Sequence, residues 1–215
     1  MGGTCQRVRY ADDFVCMVQH RQDAEMLETM LRQRFTQLGL TLHPRKTRTI
    51  SFGRYERENA HRQGRKAQTF DFLGFTHYCG RSRTGHFLLG RKTSGKKFRK
   101  ACKEMKSWLK QVRHSLRLSQ LWSALAAKLR GHYSYYGVSG NSRMLAKFGC
   151  VTIRAVYKWL NRRSQRKRLR WTQLQDYLLS RPLPRPRIVY WMYEPLPLWE
   201  MGRRAVCGKS ARTVL

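Results

Sequence analysis

The sequence predicts an α+β first part followed by an all-helical second part. Three observations carry this reading: apolar residues alternate in short runs as far as Thr93, they recur at helical spacing from Ser94 onward, and positive charge gathers in the later stretch. Lys and Arg total 45 against 12 acidic residues among 215, a formal charge of +33. Residues 1–71 hold 13 basic and 8 acidic residues, or +5, whereas residues 72–215 hold 32 and 4, or +28. Charge of that size excludes most metabolic enzymes and points to a polyanionic partner, bound mainly by the C-terminal part. A hydrophobic content of 41% excludes a wholly disordered chain.

Element by element, residues 7–11 and 14–18 read as the strands of a hairpin with Asp12-Asp13 as its turn, since aspartate tolerates tight turns. Leu27, Met30, Leu31, Phe35 and Leu38 place a helix over 22–38, with Gly39 just past its end. Residues 40–42 and 49–52 are strand candidates, and 53–68 reads as a polar, basic loop. Phe70, Phe72 and Phe75 alternate through 69–78, and 80–85 turns the chain into 87–89. Beyond Ser94, Phe98, Ala101, Cys102, Met105, Trp108, Leu109 and Val112 form one face of a helix over 97–113. Arg99, Lys103, Lys106, Lys110 and Arg113 lie on a stripe about 120° away from it. A second helix carries Leu118, Leu121, Trp122, Leu125, Leu129 and Tyr133 and stops at 137–140. A third runs from Asn141 or Ser142 towards Asn161, with Gly149 as a point of bending. Thr172-x-x-Gln175 reads as the capping box of a last helix. The expected organisation is a domain over 1–93, a helical domain over 94–193, and a flexible tail over 194–215.

The six cysteines stand singly, without a Cys-x-x-Cys pair, which argues against structural zinc and against a disulfide framework. His20, His43, His61 and His77 show no ligand spacing. No apolar run approaches the ~18 residues of a membrane span. The expected setting is the cytoplasm, with no membrane and no zinc among the partners.

Asp12 and Asp13 are the residues best suited to chemistry, because paired carboxylates on a hairpin are hard donors suited to Mg²⁺. Alone, such a pair is as a rule a solvated turn. Its neighbours change the reading. Arg9-Tyr10-Ala11-Asp12-Asp13-Phe14-Val15 resembles the Tyr-Ala-Asp-Asp motif of reverse transcriptases, in the form carried by bacterial group II intron proteins. Leu38-Gly39-Leu40-Thr41-Leu42-His43-Pro44-Arg45-Lys46-Thr47 is similar to the family's next palm block, and Phe70-Asp71-Phe72-Leu73-Gly74-Phe75 to its primer-grip block. Leu129-Arg130-Gly131-His132-Tyr133-Ser134-Tyr135-Tyr136-Gly137-Val138 resembles the maturase, or thumb, segment. Arg162-Arg163-Ser164-Gln165 and Pro182-Leu183-Pro184-Arg185-Pro186-Arg187 match its later part.

The resemblance implies a partial palm, an antiparallel sheet with a helix, followed by a helical thumb. It also implies RNA-directed DNA synthesis with two Mg²⁺ ions held through Asp12 and Asp13, group II intron RNA as a partner, and a DNA primer or target. Tyr10, Ala11, Lys46, Phe72, Leu73 and Gly74 would lie near nucleotide and primer. Arg99, Lys103, Lys106, Lys110, Arg113, Arg130, Arg162, Arg163, Arg166, Lys167 and Arg168 are the candidate RNA contacts. Family members begin upstream with fingers and an early palm block carrying a further aspartate. That block has no counterpart among Asp23, Asp71 and Asp176, so an upstream half or a second copy is an expected partner. Three functions stay open: polymerisation, RNA binding in aid of splicing without catalysis, and neither. Phe70, Phe72 and Phe75 are core or stacking platforms, and the tyrosines Tyr133, Tyr135 and Tyr136 divide between core and RNA contact.

Overall fold

Side chains alternate across a strand, so a hairpin can bury one face and leave its turn in water. The computed structural model describes residues 4–43, 46–163 and 168–192 and the backbone of 212–214. In it Cys5–Tyr10 (β1) and Asp13–Val18 (β2) pair antiparallel, Cys5 opposite Val18 and Tyr10 opposite Asp13. The turn is therefore Ala11-Asp12, and Asp13 opens β2, a shift from the expected Asp12-Asp13 turn. The register that buries Val15, Cys16 and Val18 closes the hairpin on Tyr10 and Asp13. Ala11 takes φ 50°, and Arg9 Nε donates to its carbonyl at 2.8 Å.

Arg21–Gln37 (α1) follows, with Phe35 stacked on Phe14 of β2 at 6.4 Å. Residues 40–42 form no strand, and the pairing resumes only at Thr49–Ser51 (β3). The expected loop over 53–68 contains a short helix, Glu56–Arg62 (α2). Its buried side chains are Glu56 and Ala60, one turn apart, so it offers no apolar period to read. Glu56 accepts a hydrogen bond from Arg65 Nη1 at 2.5 Å. Burial raises the Glu56 carboxyl, but hydrogen bonds led by Arg65 outweigh it and hold the group below its ordinary value.

Thr69–Phe72 (β4), Phe75–Arg81 (β5) and Phe87–Thr93 (β6) form a second sheet in that order. Leu73-Gly74 joins β4 to β5 with φ 49° and 81°, the left-handed pair that a two-residue hairpin turn requires. Phe70 is core: it meets Phe52 edge-on at 5.1 Å and stacks on His77 at 4.8 Å, beside Val15, Ile50 and Cys79.

By packing, the chain divides into two units, one of residues 1–73, 77–90 and 196–215, the other of 74–76 and 91–195. The second is built on Gly95–Val112 (α3), Leu118–Tyr136 (α4), Ser142–Asn161 (α5) and Trp171–Ser180 (α6). Arg212–Val214 (β7) pairs antiparallel with both β2 and β3, giving the order β1-β2-β7-β3. The remainder of the expected tail, 194–211 and 215, lies outside the described residues.

In the helical unit Met105, Leu109, Leu121, Leu125, Leu129, Leu145, Phe148, Val156 and Leu174 share one core, as the helical spacing predicts. Ser94 caps α3 through its hydroxyl. The box at α6 falls earlier than expected: Gln173, not Gln175, accepts the Arg170 N–H at 2.9 Å, because the helix begins at Trp171. Helix α5 runs from Ser142 to Asn161 through Gly149 without a break. A Cβ on Gly149 would sit 2.8 Å from Tyr133 Oη, so the glycine makes room for that ring.

Asn141, fully buried, ties the unit together. Its Oδ1 accepts the Thr93 N–H at 2.8 Å, while Nδ2 donates to Thr93 Oγ1 and to Tyr136 O, each at 2.8 Å. No helix among the described residues is long and apolar enough to cross a membrane.

Two substitutions follow from this packing. Asn141→Ala orphans buried partners on Thr93 and Tyr136, and a loss of about 2–4 kcal/mol in urea unfolding is expected. Gly149→Ala drives a methyl into Tyr133 and destabilises, whereas Gly131→Ala, with nothing near its Cβ, gains up to about 1 kcal/mol from helix propensity. Equal effects at the two glycines would contradict the close-packing role.

Candidate functional site

The hairpin presents its acids outward. Asp12 at the turn and Asp13 at the start of β2 are both exposed, and Tyr10 beside them is 65% exposed. An alanine in the left-handed region costs roughly 1–2 kcal/mol. The small side chain at Ala11 limits that strain while bringing Tyr10 and Asp13 into register. Lys46 is exposed and forms a turn on His43, with its N–H on the His43 carbonyl at 3.1 Å. Phe72 is half-buried against the Phe70 core, and Leu73 is exposed at the tip of its turn. Asp12 and Asp13 are thus brought together by adjacency, while no direct bond links them to Lys46 or to residues 72–74 among the described hydrogen bonds.

In the helical unit Gly74 O accepts the Ser94 N–H at 2.9 Å, and the glycine faces Tyr136 Oη. Phe75 stacks on Tyr135 at 6.3 Å and meets Tyr136 edge-on at 5.5 Å. Tyr133 is core, its hydroxyl pushed up to about 12 by burial and then by Cys150, whereas Tyr135 is 59% exposed. The three tyrosines therefore divide, one to the core and one to the surface, with Tyr136 between. His132 stacks on Phe148 at 3.7 Å, and burial pushes it down to about 4. It is a neutral, packed ring at neutral pH.

The cations of α3 lie where the stripe predicts. Arg99, Lys103, Lys106 and Lys110 are exposed, and the only acid on the helix, Glu104, stands 3.8 Å from Lys100. Arg130 and Arg168 are exposed as well. Arg113 and Arg162 reach over the Trp159 ring, 5.0 and 5.4 Å from its centre, and Lys158 does so at 5.6 Å. Arg163 donates to Leu116 O at 2.8 Å and so fastens the α3–α4 connection. Arg166 and Lys167 lie outside the described residues. Sequence reading missed the gathering around Trp159. Its signal was the spacing of Lys158 and Arg162, one helical turn apart on either side of an aromatic residue.

Two family models match this chain in the same order as its motifs. Residues 3–77 match the reverse transcriptase (RNA-dependent DNA polymerase) family, and residues 96–178 match the group II intron, maturase-specific domain. Together they support a group II intron reverse transcriptase/maturase. No curated protein and no solved structure matches it. The reverse-transcriptase match takes in the Asp12-Asp13 hairpin and the Leu73-Gly74 turn, and the maturase match takes in the α3 stripe and the Trp159 cluster.

The family implies Mg²⁺ at the hairpin. Carboxylate oxygens are the right donors for it, and both are solvent-accessible. Among the described residues no group of three or more His, Cys, Asp or Glu side chains is placed to hold a metal. In donor chemistry the hairpin fits Mg²⁺, to which it would offer two carboxylates.

A pH prediction follows from His132. Its folded value near 4 lies below the ordinary 6.5, so the unfolded chain takes up the proton first as pH falls. Stability contributed by this group is full above pH 6.5, declines between about 6.5 and 4, and then levels. Urea midpoints measured across that window should fall for the native chain and flatten for His132→Gln. An unchanged slope in the variant would contradict the assignment.

Proposed function

We propose that this chain binds group II intron RNA through the exposed cations of its helical unit and contributes Asp12 and Asp13 to a Mg²⁺-dependent nucleotidyl-transfer site. The single observation that supports it best is the outward stripe of Arg99, Lys103, Lys106 and Lys110 within a maturase-specific match. Such a stripe, nearly free of acids, carries a self-repulsion that phosphates relieve.

Bound at the hairpin, Mg²⁺ would lower the barrier for attack by a primer 3′-hydroxyl and stabilise the leaving pyrophosphate. Asp12 and Asp13 would hold the ion, set side by side where the Tyr10–Asp13 pair closes the hairpin. Tyr10 offers an exposed ring beside the nascent base pair. The Phe72–Gly74 turn would meet a primer strand at Leu73, its exposed tip. Lys46 would add an exposed positive charge, and the DNA primer or target is the second nucleic-acid partner.

RNA binding without polymerisation by residues 1–215 alone is the second reading, favoured by the two-carboxylate donor set among the described residues. Phosphoryl transfer depends on positioning and electrostatics, so an incomplete ligand set costs many powers of ten in rate. The test is primer extension on an RNA template with Mg²⁺ and deoxynucleotides. The expected result is RNA binding with no extension by this chain alone, and extension when a second chain supplies fingers and a further aspartate. Extension by the chain alone that Asp12→Ala abolishes would overturn the two-carboxylate argument. Failure to bind structured RNA would overturn the whole reading.

A further inference from the structure

A second cationic surface lies in the first unit, on residues outside the maturase match. Helix α2 and strand β5 border an open depression of about 520 Å³ whose basic lining is Arg57, His61, Arg62, Arg65, Lys66 and Arg81, with Glu58 as its acid. A smaller cavity of about 170 Å³ continues from it, sharing Arg57, Glu58 and Arg81 and adding Arg54 and His86. Glu58 is bonded to Arg81, and Glu56, beneath α2, is bonded to Arg65. Both glutamates of the helix are therefore already committed. Among the described residues Arg57, Arg62 and Lys66 form no ion pair, and all three are exposed.

From this geometry we propose that the α2–β5 trough binds a stretch of RNA phosphodiester backbone. Two joined cavities with cations along both form an elongated site, which suits successive phosphates better than one compact anion. Guanidinium forks match phosphate oxygens in pairs, and three uncompensated cations on so short a segment are costly until an anion arrives. The Glu58–Arg81 pair leaves Arg57 and Arg62 on either side of it along α2. The Glu56–Arg65 pair, buried at its Glu56 end, ties the start of the helix to the segment after it, so the trough is held without using its three open cations. This inference rests on the reading of the chain as an RNA binder and places a second contact outside the helical unit.

The test uses the full chain and a fluorescein-labelled structured RNA. Arg57→Ala, Arg62→Ala and Lys66→Ala together are compared with Arg21→Ala, Arg32→Ala and Arg34→Ala on α1, which remove the same charge. The trough set is expected to lower affinity about tenfold more than the α1 set, with unaltered thermal unfolding. In the unsubstituted chain, RNA should also slow hydrogen exchange across residues 54–66. Equal losses from the two sets, or no protection of that segment, would overturn the trough while leaving RNA binding intact. Absence of RNA binding by the unsubstituted chain would instead overturn the reading beneath both. Tripolyphosphate binding that the trough set abolishes, with RNA affinity unchanged, would make this a small-anion site and contradict the proposal.

Discussion

Asn141 uses both donors and the acceptor of its side-chain amide on two segments of the helical unit. Through them it fixes the entry of α3 at Thr93 and the end of α4 at Tyr136, and its own backbone starts α5. A buried amide satisfied in this way has few alternative geometries, since any shift would orphan a polar group away from water. The consequence reaches the surface. With α3 set at its N-terminus and its Cys102, Met105 and Leu109 in the shared core, the charged stripe has nowhere to point but outward. Gly149 and Tyr133 make the same demand on α4 and α5, which approach closely where no Cβ intervenes.

The first unit holds its acids by a different economy. There the register of β1 on β2 decides where Asp12 and Asp13 stand, and Ala11 accepts a strained φ to close the turn between them. Strain of this kind persists where neighbouring pairing overdetermines it, and the paired strands on both sides supply that constraint. The Leu73-Gly74 turn repeats the device with a non-glycine residue at positive φ, so two tight turns lie within the reverse-transcriptase match.

Much of this was legible in the chain. The helices α3, α4 and α5 could be read because each buries a full apolar stripe, as with Met105, Leu109 and Val112. The hairpin and the Phe70 core were legible from alternation. Helix α2 was not, because it rests on Glu56 and an arginine nine residues later, a pairing without periodicity. Asn141 could be read as a cap but not as a hub, since Thr93 lies 48 residues away. The one-residue shift of the aspartate turn depends on which β2 residues find a core, and the single strand does not record that. The carboxylates proposed for Mg²⁺, Asp12 and Asp13, were visible only through their neighbours. The trough beside α2 required a helix that the pattern did not announce.

On the function proposed above, the outward stripe of α3 holds RNA by its phosphates. The most direct measurement is the dependence of RNA affinity on salt for the native chain and for Arg99→Ala, Lys103→Ala and Lys106→Ala together. If about 6–10 phosphates are engaged, native affinity falls by roughly 10³–10⁵ between about 50 and 200 mM salt. The triple variant should then show a log–log slope shallower by roughly two to three, with folding intact because none of the three side chains enters the core. A salt response that is flat in the native chain, or identical in the two, would contradict the claim.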